Sequence, residues 1–253
     1  MSSLKFRLRA FGVHLLVSLG FAASAACLVF GIWYPYPYVE VSGGRELFML
    51  LMGVDVMIGP TITLLIFNPL KKGRRELFWD CAAIAALQLA ALGYGVWSVA
   101  AARPVHLVFE YNRFTVVHAN QIPDVLLRLA PEHLKPMPWT GPTLLSLRPF
   151  RSSEEQMNAT VAALSGDLLA ARVDLWQPYD DAKETVLHQA RPLVELKTRH
   201  PEIEGAAGAL LARFKLPWDG VGYLPMVGRK TFWTVLVDRQ TAEVLGFIPV
   251  DSF

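Results

Sequence analysis

The sequence predicts a membrane protein: three transmembrane α-helices followed by an α+β periplasmic domain built on an antiparallel sheet. Three observations predict it. Of the 253 residues 53% are hydrophobic, above the ~45–50% of an ordinary soluble domain, and the excess lies before Arg103. From Pro104 onward the composition is that of a water-soluble fold of roughly 150 residues, enough for one core. A basic knot, Lys71, Lys72, Gly73, Arg74 and Arg75, then fixes the direction of the spans. The expected anchor is residues 1–103, with helices over about 11–33, 47–67 and 81–102, and the expected domain is residues 104–253.

The first apolar run, Phe11 to Trp33, is long enough to cross a hydrocarbon layer about 30 Å thick, which takes roughly 20 helical residues. Lys5, Arg7 and Arg9 precede it. A cleaved signal peptide is the rival reading, because a basic start, an apolar stretch and the small residues Ala22 to Ala26 are its ingredients. Against it, Leu28 to Trp33 continue the run past any cleavage point and end in an aromatic, as interfacial belts do. A lipoprotein at Cys27 is weaker still, since Ser24 stands where a large aliphatic residue is usual. The second run, Leu47 to Phe67, carries Asp55, Gly53, Gly59 and Pro60. The third, Cys81 to Ala102, is broken only by Gln88 and Ser98. Basic loops stay in the cytoplasm, and the loop from Tyr34 to Glu46 holds only Arg45. The N-terminus is therefore expected inside and everything after Arg103 outside, in a bacterium the periplasm.

In the second half, Val105–Glu110 and Phe114–His118 read as a hairpin around Tyr111, Asn112 and Arg113. A short helix is expected near Asp124–Leu129 and a strand over Leu144–Arg148. Ser152 with Glu155 is a capping box opening a helix through Leu164. Two or three helices follow between Asp181 and Phe214, broken at Pro192 and Pro201. Tyr223–Val227, Phe232–Val237 and Val244–Pro249 close the domain as strands. Strands at both ends with helices between favour a sheet covered on one face. Cys27 and Cys81 lie in the apolar half, so no disulfide staples the domain.

Charge excludes one class of partner. Up to Arg103 there are nine Lys or Arg against five Asp or Glu, and beyond it fifteen against seventeen. No clustered basic face marks the soluble part, so nucleic acid is not expected. No nucleophile elbow, phosphate loop or HExxH is present. The six histidines show no i, i+4 pair, so no metal site and no cofactor are expected, and nothing indicates an enzyme. The most informative polar residue is Asp55, since a carboxylate in mid-span costs about 2.5–3.5 kcal/mol unless paired or hydrated. One reading is a contact within the protein, with Gln88 or Thr61, or simple protonation. The other is a polar or cationic group on another protein's helix, with Gly53, Gly59 and Pro60 allowing close approach. The loop Trp33, Tyr34, Pro35, Tyr36, Pro37, Tyr38 is either an extended interfacial anchor or a rigid ledge on which Tyr34 and Tyr36 meet a partner.

Several short motifs in a fixed order carry a resemblance: Gly53-Val54-Asp55 then Gly59-Pro60; Phe67-Asn68-Pro69; Arg74-Arg75-Glu76 and Asp80; Ala102-Arg103-Pro104 with the exit strand Val105–Glu110; and Trp139-Thr140-Gly141-Pro142. Together they resemble the type IV pilin accessory proteins of the TfpX/TfpZ, FimB-like kind, over nearly the whole chain. Thr241-Ala242 departs from the Thr-Gly turn expected there. The resemblance implies an inner-membrane, chaperone-like factor supporting a major type IV pilin before or during pilus assembly, with membrane lipid and other pilus assembly proteins as further partners. The face bearing Gly53, Asp55, Gly59 and Pro60 would then meet the pilin's membrane helix. The exit strand, through Val105, Leu107 and Phe109, would meet its periplasmic head by strand addition. A membrane-anchored periplasmic sensor or ligand-binding module is the alternative, short of any cytoplasmic output domain.

Overall fold

A computed structural model of the protein describes residues 3–253. It divides into two compact units, residues 3–32 with Gly44–Ala102, and Trp33–Gly43 with Arg103–Phe253. The boundary expected at Arg103 is therefore incomplete, because the loop after the first helix belongs with the later half.

The first unit holds α1 (Ser3–Leu28), which ends in a π-helical turn at Val29–Trp33. In chain order α2 (Tyr38–Val41) follows in the second unit, then α3 (Gly44–Ile66) and α4 (Arg74–Ala101) return to the first. Among the described residues three helices are long and apolar enough to cross a bilayer: Leu4–Trp33, Gly44–Ile66 and Arg74–Ala101. They start one to two turns before the apolar runs do. A nucleated helix adds one hydrogen bond per residue fixed, so it continues into the basic flanks. α3 packs against both α1 and α4.

The second unit is one sheet, β1 (Pro104–Glu110), β2 (Arg113–His118), β3 (Thr143–Leu147), β4 (Trp176–Pro178), β5 (Arg191–Pro192), β6 (Val221–Val227), β7 (Phe232–Asp238) and β8 (Val244–Ile248). Its order is β4-β3-β1-β2-β6-β7-β8, with β5 on β6. The sheet is mixed, which corrects the antiparallel expectation. β1 runs parallel to β3 and β2 parallel to β6; the other pairs are antiparallel. Hairpin signals report only neighbouring strands, whereas the two parallel pairings join segments separated by long crossovers.

The helices are α5 (Asp124–Leu127), α6 (Ser153–Leu164), α7 (Lys183–Gln189), α8 (Leu193–Arg199) and α9 (Glu204–Phe214). At the start of α6 the Ser152 hydroxyl accepts from the Glu155 N–H at 3.1 Å. The Glu155 carboxylate accepts from the Arg151 N–H at 2.6 Å, one residue earlier than the capping box places it. Pro192 ends β5 before α8, and Pro201 opens the turn before α9.

Both faces of the sheet are covered, not one. One face buries Leu107, Phe109, Phe114, Val116, Leu224, Met226, Val235 and Val237 beneath α7 and, from the loop after α1, Tyr38 and Val41. The other face carries two clusters. Val105, Val108, Val117, Leu145 and Leu147 meet Leu175 and Trp176, while Val221, Tyr223, Leu236 and Ile248 meet α8 and α9. Alternate side chains on each strand point to opposite faces, so seven consecutive buried residues in β1 already require cover on both.

Candidate functional site

Five polar residues of the apolar helices converge. α1 supplies His14 and Ser18, α3 supplies Asp55 and Thr63, and α4 supplies Gln88. The Gln88 amide donates to the Asp55 carbonyl at 3.2 Å and to the Ser18 hydroxyl at 3.4 Å. Its oxygen accepts from His14 Nε2. An amide oxygen can only accept, so His14 donates there from Nε2, and its Nδ1 lies 2.6 Å from the Thr63 hydroxyl. The Asp55 carboxyl lies within range of that same amide and of His14.

Asp55 thus lies beside Gln88 and His14 of its own unit. Thr61 is not among these contacts: its hydroxyl bonds the Met57 carbonyl one turn back at 2.7 Å. Gly59 is what admits Gln88, since a Cβ at that position would overlap the amide. Gly59 and Pro60 are buried, whereas Gly53 is exposed, with nothing within 4 Å of the place a Cβ would take. A groove of about 310 Å³ lies between α3 and α4, with Asp55, Gly59 and Gln88 among walls of Leu, Ile and Val. A smaller one, about 160 Å³, opens between α1 and α4 onto His14, Ser18, Asp55 and Gln88. His14 and Ser18 were missed in the sequence; their signal was a His and a Ser one turn apart on an otherwise apolar helix.

The second unit places the remaining candidates differently. Val105, Leu107 and Phe109 are wholly enclosed. β1 lies between β3 and β2, so both its backbone edges are paired and no further strand can add to it. The outer strands of the sheet are β4 and β8. β4 has three residues and ends in Pro178, which lacks a donor. β8 has five, Val244-Leu245-Gly246-Phe247-Ile248, with no proline or charge among them.

The aromatic loop is not extended. Tyr34 is 1% exposed and Tyr38 8%, whereas Tyr36 stands out at 65%. Burial raises the pKa of Tyr34 and of Tyr38 above the ordinary phenol value. The Lys230 N–H donates to the Val41 carbonyl at 2.9 Å, and Tyr38 meets Phe247 edge-on at 5.9 Å. Two histidines lie deep in this unit. His106 bonds Thr143 and the Pro136 carbonyl, and His118 bonds Gln121. Burial holds both imidazoles down to about 4.

Among the described residues no group of three His, Cys, Asp or Glu side chains is placed to hold a metal ion. The family model for the fimbrial assembly protein FimB matches residues 2–43. The chain is similar to the fimbrial assembly protein of serogroup I from Dichelobacter nodosus, 32% identical over 248 residues, spanning 96% of this chain and 94% of the relative. It is 30% identical to the serogroup E1 protein of the same organism over 247 residues, with the same coverage. A third relative, for serogroups C1 and C2, is 39% identical over 48% of this chain. No solved structure matches.

Proposed function

The chain belongs to the FimB family of fimbrial assembly proteins, and from that premise we propose that it is a non-catalytic, chaperone-like accessory factor of the bacterial inner membrane that supports a cognate type IV pilin before or during pilus assembly. The observation that carries the reading is the match to two fimbrial assembly proteins over nearly the whole length, so that spans and domain come together in the relatives as well. A pilin awaiting assembly combines a membrane helix with a globular head. A protein with both a helical unit and a folded domain can engage both parts, and two weak contacts on one chain gain avidity.

Topology supports the same reading. The loop Trp33–Gly43 and the segment from Arg103 share one core, so they must lie on one side of the membrane. Between them run α3 and α4. Two crossings return the chain to the side it left, and the basic stretch Lys71–Arg75 between those crossings belongs in the cytoplasm. The domain is then periplasmic, where a pilin head is found. Within this reading the α3–α4 groove receives the pilin helix, with Gly53 and Asp55 beside it, and the outer edge of β8 receives an extended segment of the head.

Site-specific photocross-linking in native membranes tests it. A cross-linker at Leu50, which lines the groove, and another at Leu245 of β8 should each yield a pilin adduct. Adducts at neither position would remove the proposal, and an adduct at one alone would confine it to that half of the pilin.

A further inference from the structure

The stretch Trp139-Thr140-Gly141-Pro142 contributes no side chain to any of the three cores. Trp139 is 69% exposed, as open as Trp79 at 62% and Trp97 at 63%, which stand on membrane-length helices. An indole left in water at that exposure forgoes the stabilisation that most tryptophans gain by burial. Yet Trp139 is held firmly. The Arg103 guanidinium lies over its ring at 4.8 Å from the centroid and donates to the Pro138 carbonyl at 3.2 Å. The Trp33 ring flanks it at 6.5 Å.

Those two neighbours are the residues at which the chain leaves its apolar helices. Trp33 ends the first long apolar stretch, and Arg103 stands two residues beyond Ala101, the last residue of the third. Two residues of chain reach at most about 7 Å, comparable with the ~6 Å of polar headgroup layer on either side of the hydrocarbon. Both contacts of Trp139 are thus residues at the ends of apolar stretches, where a headgroup layer would begin.

The surrounding surface has matching chemistry. Tyr36, 65% exposed, leans edge-on against Trp233 at 5.9 Å. The turn between β6 and β7 carries Arg229 and Lys230, both exposed, and is bonded to the same loop through Val41. Glu40 of the same loop lies in electrostatic range of Tyr36. Aromatic rings with a polar tip beside cations are what a phospholipid headgroup layer selects: ring bodies among the upper acyl and glycerol groups, N–H and O–H on ester and phosphate oxygens.

We infer that Trp139 and Tyr36, with Arg229 and Lys230, form a lipid-headgroup contact that pins the second unit to the bilayer surface and favours anionic phospholipid. The contact uses residues other than those of the groove and of β8, so it stands whether or not a pilin binds there.

The test uses the full-length protein labelled with 5-fluorotryptophan in nanodiscs of phosphatidylcholine, alone or mixed with phosphatidylglycerol. The Trp139 resonance is assigned by its loss in Trp139→Phe, an exposed position where folding is not at stake. A spin label on the lipid headgroup should broaden that resonance severalfold, and a soluble paramagnetic agent should leave it nearly untouched. Broadening should be stronger with phosphatidylglycerol present, and Arg229→Glu with Lys230→Glu should abolish that difference. A resonance broadened only by the soluble agent overturns the inference, because Trp139 then faces water. One shielded from both agents overturns it too, because protein then covers the indole. Equal broadening in both lipid mixtures would overturn the preference for anionic headgroups.

Discussion

Single residues in the second unit carry identifiable strain and charge. Helix α9 ends in a Schellman motif, with Leu216 N–H on the Leu211 carbonyl at 3.0 Å and Lys215 N–H on the Ala212 carbonyl at 3.4 Å. That motif places Lys215 in the left-handed region at φ 56, where glycine is the usual occupant. The Lys215 side chain is exposed, so removing it sacrifices no packing. Lys215→Gly should stabilise the domain by about 1 kcal/mol, read as a raised unfolding midpoint; an unchanged or lower midpoint would refute the cap assignment. Ala242 is the opposite case. It too is left-handed, at φ 58, a conformation that suits the glycine of the Thr-Gly turn the resemblance implies, but its methyl is buried and its carbonyl accepts from the Tyr179 hydroxyl at 2.6 Å. Relief of strain on changing Ala242 to Gly is offset by a lost buried methyl, about 0.8 kcal/mol, so that substitution should be nearly neutral. The buried imidazoles set a pH dependence. His106 and His118 titrate near 4 in the folded protein against an ordinary 6.5. Between those values the unfolded chain binds protons that the folded chain does not, so stability is full above pH 6.5 and falls as pH drops toward 4. Carboxylates titrate in the same range, so the measurement is a difference. The double variant His106→Gln, His118→Gln should lose a few kcal/mol less than the wild type on that descent, and parallel profiles would sink the assignment.

At the scale of elements, the helical unit depends on one glycine. Gly59 makes room for Gln88, and Gln88 links α1, α3 and α4 through Ser18, His14 and Asp55. A methyl at position 59 meets the movable end of a glutamine, so the steric cost is small and the loss is that of the hydrogen bonds. Interhelical hydrogen bonds in bilayers are worth roughly 0.6–2 kcal/mol. Gly59→Ala and Gln88→Ala should each destabilise the helical unit by about that much, and the double variant by little more than either. Additive losses in a folding assay in bicelles would show that Gly59 and Gln88 act separately. The Asp55–Gln88 contact was legible because spans contain so few polar residues that each has few partners to choose from. Thr61 misled for a local reason: a hydroxyl in a helix can satisfy itself on the carbonyl one turn back. Strands β1, β2, β3 and β6 to β8 were legible from apolar patterning and turns. β4 and β5 were not, being only three and two residues long. The parallel pairing that makes β1 an interior strand leaves no local mark, and this is why the exit strand looked like a free edge.

At the scale of the whole molecule, the main departure from the sequence reading is the ownership of residues 33–43. Aromatic and proline residues beside a span end suggested an interfacial anchor, because nothing local distinguishes an aromatic that meets lipid from one that meets a sheet. The structure uses Val41 at 0% exposure and Tyr38 at 8% to close one face of the second unit. The Gly228 backbone packs so closely that a Cβ there would lie 2.7 Å from the Val41 Cβ and carbonyl oxygen. A segment some sixty residues away in the chain, across two apolar helices, therefore completes the domain's core. Residues 104–253 expressed alone should expose that apolar face and unfold non-cooperatively or aggregate, whereas the same fragment carrying residues 33–43 on a flexible linker should fold. In the intact protein Val41→Asp places an unpaired carboxylate in the core at a cost of several kcal/mol, and limited proteolysis in membranes should then cut the domain while sparing the helices. A fragment lacking the loop that still unfolds cooperatively at the midpoint of the linked form would show that the loop merely rests on the domain. Loss of folding in both tests would mean that the domain completes its core only with residues 33–43 in place, a segment that the chain makes some sixty residues ahead of the first strand.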